Sequence, residues 1–266
     1  MPVIPAPGDC VALRYDVTGT GPAVVLLHGS VLSRAIWRGL GYLEVLAQHR
    51  TVIRVDLRGH GGSGAPRDPA AYTQVRFVED LLAVMDAEQL ERADLIGYSL
   101  GARIALSCAV HHPQRVRSLV CLGGSASSQR GAVEQVFFPG VIEAVRSGGM
   151  EAFCSGQGLG PQAEGRRARA TRDAFLRADH LAVAALLTAT DATEGLEAEA
   201  LDACEVPALW MAGTEDHPRF EQSRQAAAVM PRARFVPLEG RDHGGTLHPS
   251  GPVLEHVVPF LEEHAD

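Results

Sequence analysis

The stretch "ADLIGYSLGARIALSCA", residues 93–109, changes character at its centre. An apolar run ends at Tyr98, Ser99 sits between Gly97 and Gly101, and beyond it Ile104, Ala105 and Cys108 follow helical spacing. The pattern predicts a strand, a sharp turn and a helix, with a hydroxyl at the junction. Glycines on either side of such a turn let neighbouring backbone approach closely, so the serine projects above the sheet edge. A second reading is that Ser99 simply N-caps the helix starting at Leu100. The five residues Gly97–Gly101 do not by themselves separate the two.

The surrounding chain repeats the same alternation. Apolar runs at "CVALRYDV" (from 10), "AVVLLHG" (from 23), "TVIRVD" (from 51), "RSLVCLGG" (from 117), "PALWMAG" (from 207) and "ARFVPL" (from 233) read as further strands. Val78, Leu81, Leu82 and Met85 fall at i, i+3, i+4, i+7 and mark a helix between two of them. Strands alternating with helices predict a mostly parallel sheet covered on both faces. From about 125 to 204 the rhythm breaks into helical patterns without a strand, an expected insertion that includes the basic run "RRARATRDAFLR" at 166, read as a solvated helix face.

Serine is a weak nucleophile at neutral pH and needs a base, itself oriented by an acid. The chain supplies candidates behind later strands and in that order: Asp216 after "PALWMAG", then His243 after "ARFVPL". Glu215 and Asp242 are rival acids, and His217, His248 and His256 rival bases. Asp242 adjoins the histidine and would have to turn back on itself, whereas Asp216 lies three residues beyond Gly213.

Five ordered segments, "LLHGSVLSRAIW", "DLRGHGGSGAP", "GYSLG", "GTEDH" and "GRDHGG", give the chain a resemblance to the α/β-hydrolase fold superfamily over nearly its whole length. The resemblance implies an eight-stranded, mostly parallel sheet flanked by helices, with an inserted helical cap. It divides the chain into a core of 1–124 and 205–266 and a cap of 125–204. It also assigns the oxyanion hole to the backbone N–H groups of Ser30 and Leu100. His28, Arg58, His60 and Ser63 are expected to be scaffold, Trp37 core, and Cys108 and Cys121 inert packing. Phe137, Phe138, Phe153 and Leu186 suggest an apolar substrate pocket, while Phe175 belongs to the same group; the competing reading is that all of them glue the cap helices together.

Bulk properties narrow the partners. The 266 residues carry a formal charge of −8, which offers no general field for polyanions, so nucleic acid is not expected. All 24 basic residues are arginine, which excludes a Schiff-base lysine and the usual P-loop. Five cysteines without a Cys-x-x-Cys pair suggest neither a disulfide framework nor a zinc site, and the absence of a signal-like start or a long apolar run points to the cytoplasm. No metal or organic cofactor and no membrane partner is expected; the oligomeric state is not legible.

Taken together, these features predict a serine hydrolase that cleaves a carboxylic ester or lactone of a small molecule with a hydrophobic acyl or aromatic part. Haloalkane dehalogenases and epoxide hydrolases resemble this chain but carry aspartate at the elbow, where this chain has Ser99. The alternatives are carbon–carbon bond hydrolysis, perhydrolysis, a biosynthetic cyclisation or rearrangement, and a non-catalytic binding protein on the same fold.

Overall fold

A computed structural model of the chain describes residues 2–265. Its strands are β1 (Val3–Pro5), β2 (Ala12–Thr18), β3 (Ala23–Leu27), β4 (Thr51–Asp56), β5 (Ala93–Tyr98), β6 (Val116–Leu122), β7 (Ala208–Gly213) and β8 (Ala233–Leu238). The helices before β7 are α1 (Ala35–Gly39), α2 (Tyr42–Leu46), α3 (Gln74–Ala87), α4 (Leu100–His111), α5 (Ala132–Val136), α6 (Val141–Gly156), α7 (Arg166–Leu176), α8 (His180–Asp191) and α9 (Ala198–Asp202). Helices α10 (Arg219–Val229) and α11 (Gly251–Glu263) follow β7 and β8 respectively.

The strands form one eight-stranded sheet in the order β1-β2-β4-β3-β5-β6-β7-β8, antiparallel only where β2 meets β1 and β4. Seven of these strands are the apolar runs of the sequence. The eighth, β1, is three residues long, too short to show alternation, and it pairs with β2 through Ile4 opposite Leu13.

The inner strands are buried on both faces, as a sheet covered by helices requires. Val25, Leu27, Leu95 and Cys121 face the side packed by Ile104, Ala105 and Cys108 of α4. Their neighbours Val24, Leu26, Ile96 and Val120 face the other side, against Trp37, Tyr42, Val253 and Val257. Burial pushes the Cys108 thiol up to about 12, so it stays protonated packing. Helices α5 to α9 all lie between β6 and β7; Val141, Val145, Phe153, Val183 and Leu187 form an apolar cluster of their own there, joined by Val31.

Register positions the site. Leu27 of β3 stands opposite Gly97 of β5, Tyr98 opposite Leu122 of β6, and Gly213 of β7 opposite Leu238 of β8. The loops beginning at 28, 99, 123, 214 and 239 therefore leave the same carboxyl edge of the sheet, the edge at which open α/β sheets place ligands.

Candidate active site

Ser99 occupies the turn between β5 and α4 with φ 52° and ψ −112°, a conformation that costs a non-glycine residue about 1–3 kcal/mol. Its side chain makes no capping bond to the helix, so the N-cap reading of this serine does not describe the turn. The glycines have steric reasons. A Cβ on Gly97 would collide with the carbonyl of Gly101, and one on Gly101 with the carbonyl of Leu27.

The hydroxyl finds another partner. Ser99 Oγ lies 3.0 Å from His243 Nε2, and His243 Nδ1 lies 2.8 Å from Asp216 Oδ2. With Nδ1–H donating to the carboxylate, Nε2 is left to accept the serine proton. Asp216 is 3% exposed and its carbonyl accepts from Phe220 N–H at the start of α10. The rival residues lie elsewhere: Glu215 and Asp242 are exposed, Asp242 accepts from Gly245 N–H at 2.7 Å, and His217 and His256 are exposed while His248 is half-buried.

The amides expected at the oxyanion hole belong to Leu100 and Ser30. Leu100 is the first residue of α4, so its N–H is one of those a helix leaves unpaired. Ser30 follows His28–Gly29, and its neighbour Val31, at φ 62°, donates its own N–H to His60 Nε2 at 3.0 Å. Ser30 and Leu100 both line the cavity that opens onto Ser99.

Residues expected to be scaffold hold this loop. His60 Nδ1 donates to the Arg58 carbonyl (2.9 Å), while His28 Nδ1 donates to the Gly29 carbonyl (2.8 Å) and its Nε2 accepts from Leu57 N–H (3.1 Å). Both rings are therefore neutral, and burial holds their pKa values below the ordinary histidine range, with His60 at a centroid distance of 4.9 Å adding to the effect on His28. The fully buried Arg58 is clamped by Asp80 and Asp9, and Ser63 Oγ–H donates to the Asp56 carbonyl at 2.6 Å. Trp37 is wholly buried in the core.

Of the four side chains expected around a substrate, only Phe137 lines the cavity at Ser99. Phe153 is sandwiched between Phe137, Phe138 and Phe175 with ring centroids 5.2–6.2 Å apart, and Leu186 faces the main core. Phe138, Phe153 and Leu186 are thus a correction: Phe138 and Phe153 pack within the inserted helices, and Leu186 packs into the main core. A polar wall absent from the sequence expectations takes their place, formed by Arg103, Arg219, Gln129, Gln74 and Thr190. A signal for Arg103 exists in the sequence, since it is the single charged residue in the otherwise apolar "LGARIALSCAV".

Among the described residues, no group of three or more His, Cys, Asp or Glu side chains is placed to hold a metal ion, and no helix is long and apolar enough to cross a membrane.

A sheet of this order with a serine at its central turn defines an α/β hydrolase, and the chain belongs to the α/β hydrolase fold family, whose model matches residues 22–243. It is 31% identical to a pimeloyl-[acyl-carrier protein] methyl ester esterase of Xanthomonas campestris over 259 residues, 94% of this chain and 98% of that protein. It is 40% identical to a 2-hydroxymuconate semialdehyde hydrolase of Pseudomonas, but over 114 residues, 42% of this chain; the chain spans about two fifths (39%) of that relative's length. Among solved structures, the enol-lactonase of Burkholderia xenovorans superposes with a TM-score of 0.83 at 26% identity, covering 98% of this chain and 100% of that one.

Proposed function

We propose that the protein is a serine hydrolase that cleaves a carboxylic ester or lactone through an acyl-enzyme on Ser99. The observation that carries this reading is the chain of two hydrogen bonds from Ser99 through His243 to Asp216, beside a cavity that Ser30, Ser99 and Leu100 line together. Esterase and lactonase relatives support it.

In the first half-reaction Ser99 Oγ attacks the substrate carbonyl carbon and passes its proton to His243 Nε2. Asp216 stabilises the resulting imidazolium and fixes its tautomer. The new oxyanion accepts from the N–H groups of Ser30 and Leu100, each donor being worth about a hundredfold or more in rate. Collapse expels the alcohol, which takes the proton from His243. Water then repeats the sequence on the acyl-enzyme and releases the acid. Helices α5 to α9, residues 125–204 in the sequence reading, serve as the cap over this site, with Phe137 among the residues that meet the substrate.

Steady-state turnover of 4-nitrophenyl esters and of lactones tests the reading. Wild type should hydrolyse members of at least one class, and Ser99→Ala or His243→Ala should lose about 10³-fold or more in kcat. Hydrolysis that persists in either variant at near the wild-type rate would contradict it.

A further inference from the structure

Five arginines are almost wholly buried: Arg50 (6% exposed), Arg54 (3%), Arg58 (0%), Arg103 (5%) and Arg219 (6%). The first three each meet a carboxylate: Arg50 that of Asp94, Arg54 that of Asp16 at 2.8 Å, and Arg58 those of Asp80 and Asp9. A buried guanidinium needs such a partner, because desolvating an unpaired charge is costly. Among the described residues, Arg103 and Arg219 have none at ion-pair distance, and they are the two that line the catalytic cavity with Ser99.

Their partners are neutral. Arg103 donates to the carbonyls of Ser125 and Ser127 at 3.0 Å each and to that of Glu194, while its Nε–H has no acceptor. Arg219 donates to Gln222 Oε1 at 2.8 Å and to Gln129 Oε1 at 2.7 Å. Burial and the repulsion of Arg219 bring Arg103 down to about 10, and burial also lowers Arg219; the carboxylate that partly offsets this for Arg219 is Asp216, already bonded to His243. Both arginines remain cationic at neutral pH. In the same wall, the buried Gln74 Nε2 and Thr190 Oγ1 have no hydrogen-bond partner. Two positive charges with no carboxylate at ion-pair distance among the described residues, and several idle donors, make a surface complementary to an anion.

We infer that the ester or lactone substrate carries a second acid group, an ionised carboxylate, which binds against Arg219 and Arg103 while the scissile carbonyl lies at Ser99. This rests on the hydrolase reading above and narrows it. It adds an anionic group to the hydrophobic acyl or aromatic part expected from the sequence: the carboxylate supplies the counter-charge that Asp94, Asp16 and Asp80 supply to the other buried arginines. Guanidinium and carboxylate match geometrically as planar forks.

The test uses mono-4-nitrophenyl esters of adipate, pimelate and suberate, each beside its methyl 4-nitrophenyl diester, which has the same reacting bond and no charge. At one or more chain lengths wild type should favour the free acid by roughly tenfold to a hundredfold in kcat/KM, the value of a hydrogen bond to a charged group. In Arg219→Met that ratio should collapse towards one, and Arg219→Lys should restore part of it. Each ratio is read on one preparation, so a partly misfolded variant lowers both rates and leaves it unchanged. Diesters hydrolysed as well as the acids at all three lengths, or a preference that survives Arg219→Met, would overturn the inference and leave the hydrolase reading standing. Hydrolysis of neither series would overturn both.

Discussion

Tyr98 holds His243 from two directions: its phenol donates to the His243 carbonyl at 3.0 Å, and its ring lies 5.1 Å from the imidazole at an interplanar angle of 31°. The same ring crowds Gly29, where a Cβ would fall 2.9 Å from Tyr98 Cδ1. The residue preceding the serine thus sets the position of the base and of the loop carrying Ser30. Burial, reinforced by the charge of Asp216, drives the phenol pKa upward, so it remains a donor throughout the working range.

Tyr98→Phe keeps the ring and removes the donor. The His243 carbonyl then loses its partner, and a loss of about 1 kcal/mol in stability is expected by chemical denaturation, with kcat reduced more than KM is raised. Unchanged kcat with lower stability would show that the bond holds the fold and not the base.

Asp216→Asn retains shape but loses the charge that stabilises the imidazolium and fixes its tautomer. A fall of about 10⁴-fold in kcat is expected, against little change for Glu215→Gln or Asp242→Asn. A silent Asp216→Asn beside an inactive Asp242→Asn would reassign the acid.

Gly101→Ala introduces a methyl group where the Leu27 carbonyl already lies. The α4 start would have to move away from β3, costing about 1–3 kcal/mol or more. Denaturation midpoints within error of wild type would contradict the close approach.

His28 and His60 give stability a defined pH dependence. Both pKa values are depressed in the folded state, chiefly by burial. As pH falls through the unfolded value near 6.5, the unfolded chain takes up protons that the folded chain does not, so stability decreases towards acid by up to about 1.4 kcal/mol per pH unit for each proton. Denaturant titrations at pH 7 and at about 5.5 should show this loss; stability that is flat or rises over the interval would mean that these rings are protonated in the fold.

Much of the fold was legible because local chemistry dictates it. Ser99 stood out since a strand period, two glycines and a helical period meet there, and the loops of Asp216 and His243 could be found because each follows an apolar strand. The short β1 offered no pattern, since three residues cannot display a period. The cavity wall was not legible: whether Phe153 faces a substrate or three other phenylalanines depends on how helices 132–202 pack, which no local spacing encodes. Arg103 lay in plain view in an apolar helix, but its meaning needed the other buried arginines for comparison. Only tertiary contacts reveal that Arg50, Arg54 and Arg58 have carboxylates and that, among the described residues, Arg103 and Arg219 have none at ion-pair distance.

The central claim is that His243 activates Ser99 as a nucleophile, and the most direct measurement is intact-protein mass spectrometry after treatment with a fluorophosphonate. A single adduct on wild type, absent from Ser99→Ala and strongly slowed in His243→Ala, is the predicted result. No adduct on wild type, or one that persists in Ser99→Ala, would contradict it.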